Sequence, residues 1–499
     1  MSADRGNVLL LSIDRQHVEA ILTGKKRFEL RKALPHHRFR RVYLFQTGGA
    51  GVVAWFDARQ VIRKPLEELW RTVGAAATPK RRFDAYFEGF INGYAIEVGR
   101  AERLAVPLPA KTLRRVDRKF SAPMSSKILR VGHPLHDFLE SVRERQIETD
   151  DLPIRLGPIS KTATRTFRKL VFEEIAPRYD EIDDSFVDGI LETHQEGHDP
   201  VGFFTSEKEA VTIKGRRGKI IGFSTITYKT GGSAKTGPTI LLEEFRGQGI
   251  GQDVRTALEY RILSRGYRKI YCTAPAISDP VVRYLLTSNY HIEAQLREQY
   301  TERHDELVFG KMLLSDVPEL FLPDGATTGA SARLVAIEEL ADRMDCAVQL
   351  ADLLRRAWFP FGDEASERVA EEVVLGEERQ SRKPKTALLL VSGTSVVGAA
   401  LLLPKRGGSV KGLIIARTGH TPSLARLVVG MMSEAIRLSG RRLYVLHPVG
   451  DVRVLGILRQ EGFLPEGLLL APYAPGQDVA VYGTPLETKN ARGGRHALP

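Results

Sequence analysis

The sequence predicts a multidomain α+β protein: a small curled β-sheet or barrel followed by two α+β domains that share one order of elements. Three observations predict it. At 499 residues the chain is too long for a single hydrophobic core, so about three domains are expected. Strand-like and helical segments alternate in residues 159–315 and again, in the same order, in residues 331–488. In the first of these stretches the glycine-rich run Arg246-Gly247-Gln248-Gly249-Ile250-Gly251 joins apolar Thr239-Ile240-Leu241-Leu242 to the helical-looking Gln252–Leu263.

Residues 1–130 read as the first domain. Val8–Ile13 is strand-like, His17–Leu22 reads as a helix stopped by Gly24, and Arg41–Gln46 is the next strand. Glycines 48, 49 and 51 turn the chain. Val52–Phe56 and Tyr94–Val98 are further strands, with helices at Pro65–Trp70 and Arg81–Glu88. Residues 131–158 are charged and show few core positions, which predicts a connector. In 159–315, Phe167–Ile175 and Phe186–Leu191 read as helices, and Lys219–Tyr228 as a strand. Lys229–Gly237 reads as a glycine-rich turn at the edge of an acceptor cleft, Lys269–Thr273 as a strand and Pro280–Leu286 as a short helix. A linker at 316–330 precedes a long helix, Val335–Trp358. Strands follow at Thr386–Val391, Val396–Leu403, Val410–Ile415 and Arg442–Leu446, with helices at Leu424–Leu438 and Val452–Leu458. Residues 489–499 are poor in apolar side chains and predict a disordered tail.

Composition narrows the class. The longest apolar runs are too short to cross a bilayer and the first ten residues hold no secretory core, which predicts a cytoplasmic protein. Cys272 and Cys346 form neither a metal spacing nor a disulfide framework, and His194, His291 and His304 are isolated, so no metal site is expected. The formal charge of +12 is concentrated in the first quarter, from Arg38 to Lys119, a field that attracts polyanions such as RNA; a solvated basic surface is the alternative.

The glycine run is suited to phosphate. Glycine removes side chains where an anion must approach the backbone, and the helix behind it offers unpaired N–H groups and the positive end of its dipole. No Gly-Lys-Ser/Thr ends it and the three-glycine dinucleotide spacing is absent. The run resembles the acyl-coenzyme A loop of the GCN5-related N-acetyltransferases. That resemblance implies that Arg246, Gly247, Gln248, Gly249, Ile250 and Gly251 hold the pyrophosphate of acetyl-CoA. The pantetheine arm would then run along Leu241 and Leu242.

Glu243 and Glu244, on the strand before the loop, are base candidates on opposite faces, of which one can act. The family's acid is a tyrosine before a Gly-Phe pair. Leu285 occupies that position here, with Tyr284 one residue early, so Tyr284 serves only if the helix is offset; solvent can otherwise protonate the thiolate. Residues 331–488 resemble a degenerate copy, ending in Gly462-Phe463, whose loop Arg417–Ser423 keeps one glycine and carries Pro422.

In the first domain, Gly24-Lys25-Lys26-Arg27-Phe28-Glu29-Leu30-Arg31 and Gly93–Val98 resemble the ASCH branch of PUA-like β-barrels, associated with RNA. Lys26 and Arg31 could fix a phosphate or carbonyl and Glu29 an amino group; a network closing the barrel mouth is the alternative. Amidohydrolases of that branch carry threonine where Glu29 stands. The leading expectation is an acetyl-CoA-dependent N-acetyltransferase acting on an amine of RNA or of a nucleotide-linked acceptor, possible as a homodimer. The rivals are an acetyltransferase for protein or small amines, an RNA-binding scaffold or acyl-CoA sensor, and an ASCH-type amidohydrolase.

Overall fold

The computed structural model describes residues 6–191, 205–229, 231–314, 331–340, 342–358, 363–376, 385–474 and 476–486. The linker 316–330, the tail 489–499 and His194 lie outside them. The chain divides into two compact units. The first holds the described residues up to Leu152 with Thr256–Tyr267 and Leu313–Leu314; the second holds Pro153–Arg255, Arg268–Met312 and the described residues beyond. Among the described residues no helix is long and apolar enough to cross a membrane.

The first unit opens with β1 (Val8–Ile13), α1 (Arg15–Leu22), β2 (Phe28–Arg31), β3 (Arg41–Gln46) and β4 (Gly51–Pro65). It continues through α2 (Leu66–Val73), α3 (Lys80–Phe87), β5 (Asn92–Leu108), α4 (Ala110–Val116), β6 (Ser126–Leu129) and α5 (Pro134–Asp150). The strands form one mixed sheet in the order β2-β5-β4-β3-β1-β6, with β1 and β3 parallel. The expected barrel is an open sheet: β2 pairs only with β5, and β6 only with β1, so the ladder has two edges among the described residues. The long β4–β5 ribbon is interrupted by register shifts between Val52 and Val61, which bend it.

The expected connector is instead a core element. Helix α5 buries Leu135, Phe138, Leu139 and Val142, an i, i+3, i+4, i+7 stripe that surrounding charges disguise in the sequence. Glu140 on this helix is itself buried. It accepts from Arg41 Nη1 at 2.6 and 2.8 Å, from Arg40 Nη2 at 2.8 Å and from Tyr43 Oη at 2.7 Å. Burial alone would raise its carboxyl; the hydrogen bond and charge of Arg41 outweigh it and hold the group below the usual range. This stabilisation is therefore present above the ordinary carboxyl pKa of about 4.3 and is lost as pH falls through the lower folded value. Glu140→Ala leaves Arg41 with Asp57 as its remaining carboxylate and removes the acceptor of Arg40 and Tyr43, and is expected to cost about 3 kcal/mol in a denaturant titration. Much of the basic field is likewise paired, as in Arg103–Glu19, Arg71–Glu67 and Lys80–Asp84.

The second unit contains one element order twice. Its first half runs β7 (Ile154–Pro158), α6 (Lys161–Glu174), α7 (Asp184–Leu191), β8 (Thr205–Gly215), β9 (Ile220–Lys229) and β10 (Ser233–Leu241). It ends with α8 (Ile250–Leu263), whose residues from Thr256 onward are counted in the first unit, β11 (Lys269–Pro275), α9 (Asp279–Thr287), β12 (His291–Leu296) and β13 (Glu306–Met312). The second half repeats this as β14 (Arg333–Ala336), α10 (Arg343–Arg355), α11 (Asp363–Val374), β15 (Thr386–Ser392), β16 (Ser395–Pro404) and β17 (Ser409–Ala416). Its remaining elements are α12 (Thr421–Arg437), β18 (Arg442–Pro448), α13 (Val452–Gln460), β19 (Leu464–Leu469) and β20 (Val479–Pro485).

All fourteen strands join in one sheet, β14-β15-β16-β17-β18-β20-β19-β12-β13-β11-β10-β9-β8-β7, which reads as two copies back to back. The copies meet where Ala294 of β12 opposes Gly467 of β19, a position at which a Cβ on residue 467 would lie 2.4 Å from Ala294. Each copy holds the other by a crossing segment. Ser233 Oγ donates to Pro472 O at 2.9 Å, and Lys269 Nζ reaches Leu470 O and, at 2.7 Å, Glu293. Reciprocally, Ser409 Oγ donates to Gln299 O at 2.8 Å, while Arg442 donates to Gln299 and pairs with Glu466.

Two segments depart from expectation. Val335–Trp358 begins as β14 and a 3-10 turn, and the helix starts only at Arg343, where Asp342 caps it by accepting from Asp345 N at 3.0 Å. Ser233–Gly237, expected in a turn, belongs to β10, with Ser233, Ala234 and Thr236 buried; small polar side chains on a covered strand mimic loop composition.

Candidate functional site

β10 and β11 pair in parallel only through Ser233–Lys269, Ala234–Ile270 and Lys235–Tyr271. Beyond Lys235 and Tyr271 the strands part, and β10 continues to Leu241 on its other neighbour, β9. Leu241 therefore borders the open side of a wedge, and Leu242 after it donates its N–H to Ile221 O; both are half-buried. The glycine run follows. Gly247 and Gly249 have φ of +71° and +79°, and a Cβ at either would enter open space. With Gln248 they are exposed, directly before α8. That combination gives left-handed backbone, unobstructed approach and a helix N-terminus.

The side chains around the run are fixed by named contacts. Arg246 donates from Nε to Leu241 O at 2.9 Å and pairs with Glu174 at 2.7 Å, so its guanidinium is tied down rather than a loose cation. Gln248 Nε2 donates to Glu244 O at 2.6 Å. Behind Gly251 lies Tyr284, whose hydroxyl donates to Gly251 O, while Leu285 is buried in the core. The helix is thus offset so that Tyr284, not Leu285, faces the loop. Arg255, one turn into α8 and 5% exposed, donates to Thr236 Oγ1 at 3.0 Å and lies 4.9 Å from the Tyr290 ring centre.

Glu243 and Glu244 do not alternate on a strand. They stand on a 3-10 turn after β10 has ended, both exposed, with Glu244 3.6 Å from Lys219. Proline-like backbone at Leu242 (φ −58°, ψ 144°) ends the pleat before the pair.

On the face of the sheet that carries Lys235, Tyr271 and Thr273, a second polar group comes together that the sequence did not single out. Glu306 opens β13 opposite Pro275 and is 1% exposed. Tyr179 Oη donates to it at 3.1 Å and the Thr273 hydroxyl also bonds it. Burial raises its carboxyl to about 6, against the opposing pull of Lys235. Lys235 Nζ donates to Tyr300 Oη at 3.4 Å, and Tyr179 meets both Tyr300 and His304 edge-on at 5.9 and 6.0 Å. Burial would lower the Lys235 ammonium, yet Tyr300, Tyr271 and Glu306 beside it raise it above its ordinary value.

The second half lacks an equivalent wedge. β17 and β18 stay paired through Leu413–Leu446, two residues further than β10 and β11. Where β17 would then offer a free carbonyl, Trp358 Nε1 donates to Ile414 O at 3.0 Å. The start of α12 is covered too: buried Ser423 exchanges hydrogen bonds with the backbone of Ala332.

In the first unit, Lys26, Glu29 and Arg31 do come together. Glu29, 1% exposed, lies 2.7 Å from Lys26 Nζ and 3.0 Å from Arg31 Nη1, and Arg31 Nη2 donates to Ser12 O at 2.8 Å. Of the three only Lys26 lines the adjacent cavity of about 500 Å³, with Lys25, His17, Arg82 and Trp70. Burial and then Lys26 lower the His17 pKa.

No family model matches the chain, and no curated protein does. Among solved structures it is similar to an ASCH protein from Zymomonas mobilis, at 22% identity over 27% of this chain and 94% of that one, with a TM-score of 0.25. It is also similar to spermidine N-acetyltransferase from Vibrio cholerae in complex with CoA and spermine, at 16% identity over 32% of this chain and 96% of that one, with a TM-score of 0.28. A dodecameric form of that enzyme aligns at 14% identity over 32% and 94% of the two chains, with a TM-score of 0.27.

Proposed function

We propose that the first half of the second unit is an acetyl-CoA-dependent N-acetyltransferase and that the second half is its non-binding structural copy. The observation that carries this reading is the exposed Gly247–Gly249 turn, left-handed at both glycines, placed between the diverging strand β10 and the N-terminus of α8. Backbone N–H groups there would hold the pyrophosphate, and the edge of β10 that β11 leaves uncovered at Leu241, whose carbonyl now accepts from Arg246, would take the pantetheine amides as a strand takes a neighbour once that contact yields. The second half, with paired strands, Trp358 on Ile414 O and a covered helix start, offers neither feature.

The reaction is acyl transfer. An amine nitrogen attacks the thioester carbonyl, the C–N bond forms, and the C–S pair departs on the coenzyme sulfur. A thiol pKa near about 8.5 makes that thiolate a tolerable leaving group. Tyr284, whose hydroxyl rests on Gly251 O beside the loop, is the side chain assigned to protonate that thiolate and then to regain a proton from solvent. Incubation with acetyl-CoA and a mixture of amines, followed by mass analysis, is expected to yield a product heavier by one acetyl group; acetylation that survives deletion of the glycine turn would contradict the assignment.

For the first unit we assign recognition of a nucleotide or short RNA segment, carried by the cavity where Trp70 can stack a base and Lys25, Lys26 and Arg82 can meet phosphate. Glu29 and Arg31 act there by holding Lys26. Arg82→Ala is expected to weaken binding of a labelled RNA oligonucleotide about tenfold and to reduce the salt slope by roughly 0.7; an unchanged slope would remove Arg82 from the interface.

A further inference from the structure

We propose that Glu306, not Glu243 or Glu244, is the general base that accepts the proton of the acceptor amine, in a cleft built from Tyr179, Lys235, Thr273 and Tyr300. This inference rests on the acetyltransferase reading above. Its geometry has four parts. Glu306 is the buried floor, at 1% exposure, and Tyr179, Lys235, Tyr271, Thr273 and Tyr300 around it are partly buried, so the carboxylate lies beneath one layer of side chains that themselves reach the surface. The cleft lies on the sheet face at the point where β10 and β11 part, next to the flank assigned to the pantetheine arm. Tyr179 at 3.1 Å and Thr273 fix the carboxylate by donating to it. Glu243 and Glu244, by contrast, are exposed on a turn beyond the strand.

Lys235 completes the chemistry. It remains cationic beside Tyr300, and a fixed positive charge disfavours the ammonium form of an incoming amine, which must lose a proton to attack. In the balanced step the amine nitrogen bonds the carbonyl carbon, one N–H proton passes to a Glu306 oxygen, and the C–S electron pair leaves on sulfur. The sulfur then takes up a proton, and Glu306 releases its own to solvent. A base raised toward the working pH does this more efficiently than one near 4. The groups that act on Glu306 are Lys235 from β10, Cys272 and Thr273 from β11, Tyr179 from the segment after α6, and His304 from the turn before β13, with Tyr271 and Tyr300 beside Lys235. With Glu306 titrating at about 6, turnover is expected to rise as pH passes upward through that value.

The test compares full-length wild type with Glu306→Gln and Tyr179→Phe. Thiol release from acetyl-CoA is followed with a polyamine, a lysine peptide, an aminonucleoside and water as acceptors, and acetyl-CoA binding is measured by calorimetry. Glu306→Gln is expected to bind acetyl-CoA within twofold of wild type and to lose about 100-fold in rate with the wild type's best acceptor, together with the pH limb. Tyr179→Phe, which keeps the carboxylate but loosens it, is expected to lose about tenfold and to shift the limb. A rate for Glu306→Gln within threefold of wild type overturns the proposal while the acetyltransferase reading stands. So does a wild type that binds acetyl-CoA yet turns over none of the four acceptors. A wild type that binds no acetyl-CoA overturns the reading beneath it.

Discussion

Gly249→Val is expected to lower acetyl-CoA affinity at least about 100-fold, or about 2.8 kcal/mol, while the chain stays folded. Two effects add. The residue has φ of +79°, where an L side chain costs about 1–2 kcal/mol, and its Cβ would project into the open space that a phosphate must enter. Strain alone would lower the thermal midpoint by the same amount wherever it is introduced. Gly218, in the β8–β9 turn at φ of +75° and equally unobstructed, separates the two. Gly218→Val is expected to match Gly249→Val in thermal midpoint and to bind acetyl-CoA like wild type. Equal loss of binding in both variants would assign the effect to general strain.

The glycine turn was legible because its requirement is local. Glycines at fixed offsets between an apolar strand and a helix announce backbone geometry that no other residue adopts cheaply. Most strands and helices were legible for the same reason, as with β3, which spans the expected Arg41–Gln46. What escaped depends on distant partners. Glu306 follows His304 and Asp305 and reads as a surface turn; its burial comes partly from Tyr179, 127 residues earlier. The stripe of α5 is hidden among charges because Glu140, counted as polar, is neutralised by Arg41 of β3 and by Arg40 just before it. β12 and β19 are mixed in polarity because they lie where the two copies meet, with paired ions on the sheet rather than one wet face.

That junction makes the second large prediction. Arg442 is 4% exposed and pairs with Glu466, and in the first copy Lys269 pairs with Glu293 at 2.7 Å at the corresponding place. Arg442→Ala takes the paired cation from a buried carboxylate and removes one donor to Gln299, which keeps its bonds with Ser409. The expected cost is about 3–5 kcal/mol in denaturant unfolding. Arg442→Ala/Glu466→Leu, which removes both charges, is expected to recover most of it. Failure of the double variant to recover stability would mean that packing of the Arg442 stem, rather than the ion pair, holds the copies together.

The most direct test of the account is the stoichiometry of acetyl-CoA binding to the full chain by titration calorimetry. One site per chain, lost in Gly249→Val and kept in Gly218→Val, is the predicted result, because only one copy has the open turn and the parted strands. No binding by the folded wild type, or two sites per chain, would contradict it.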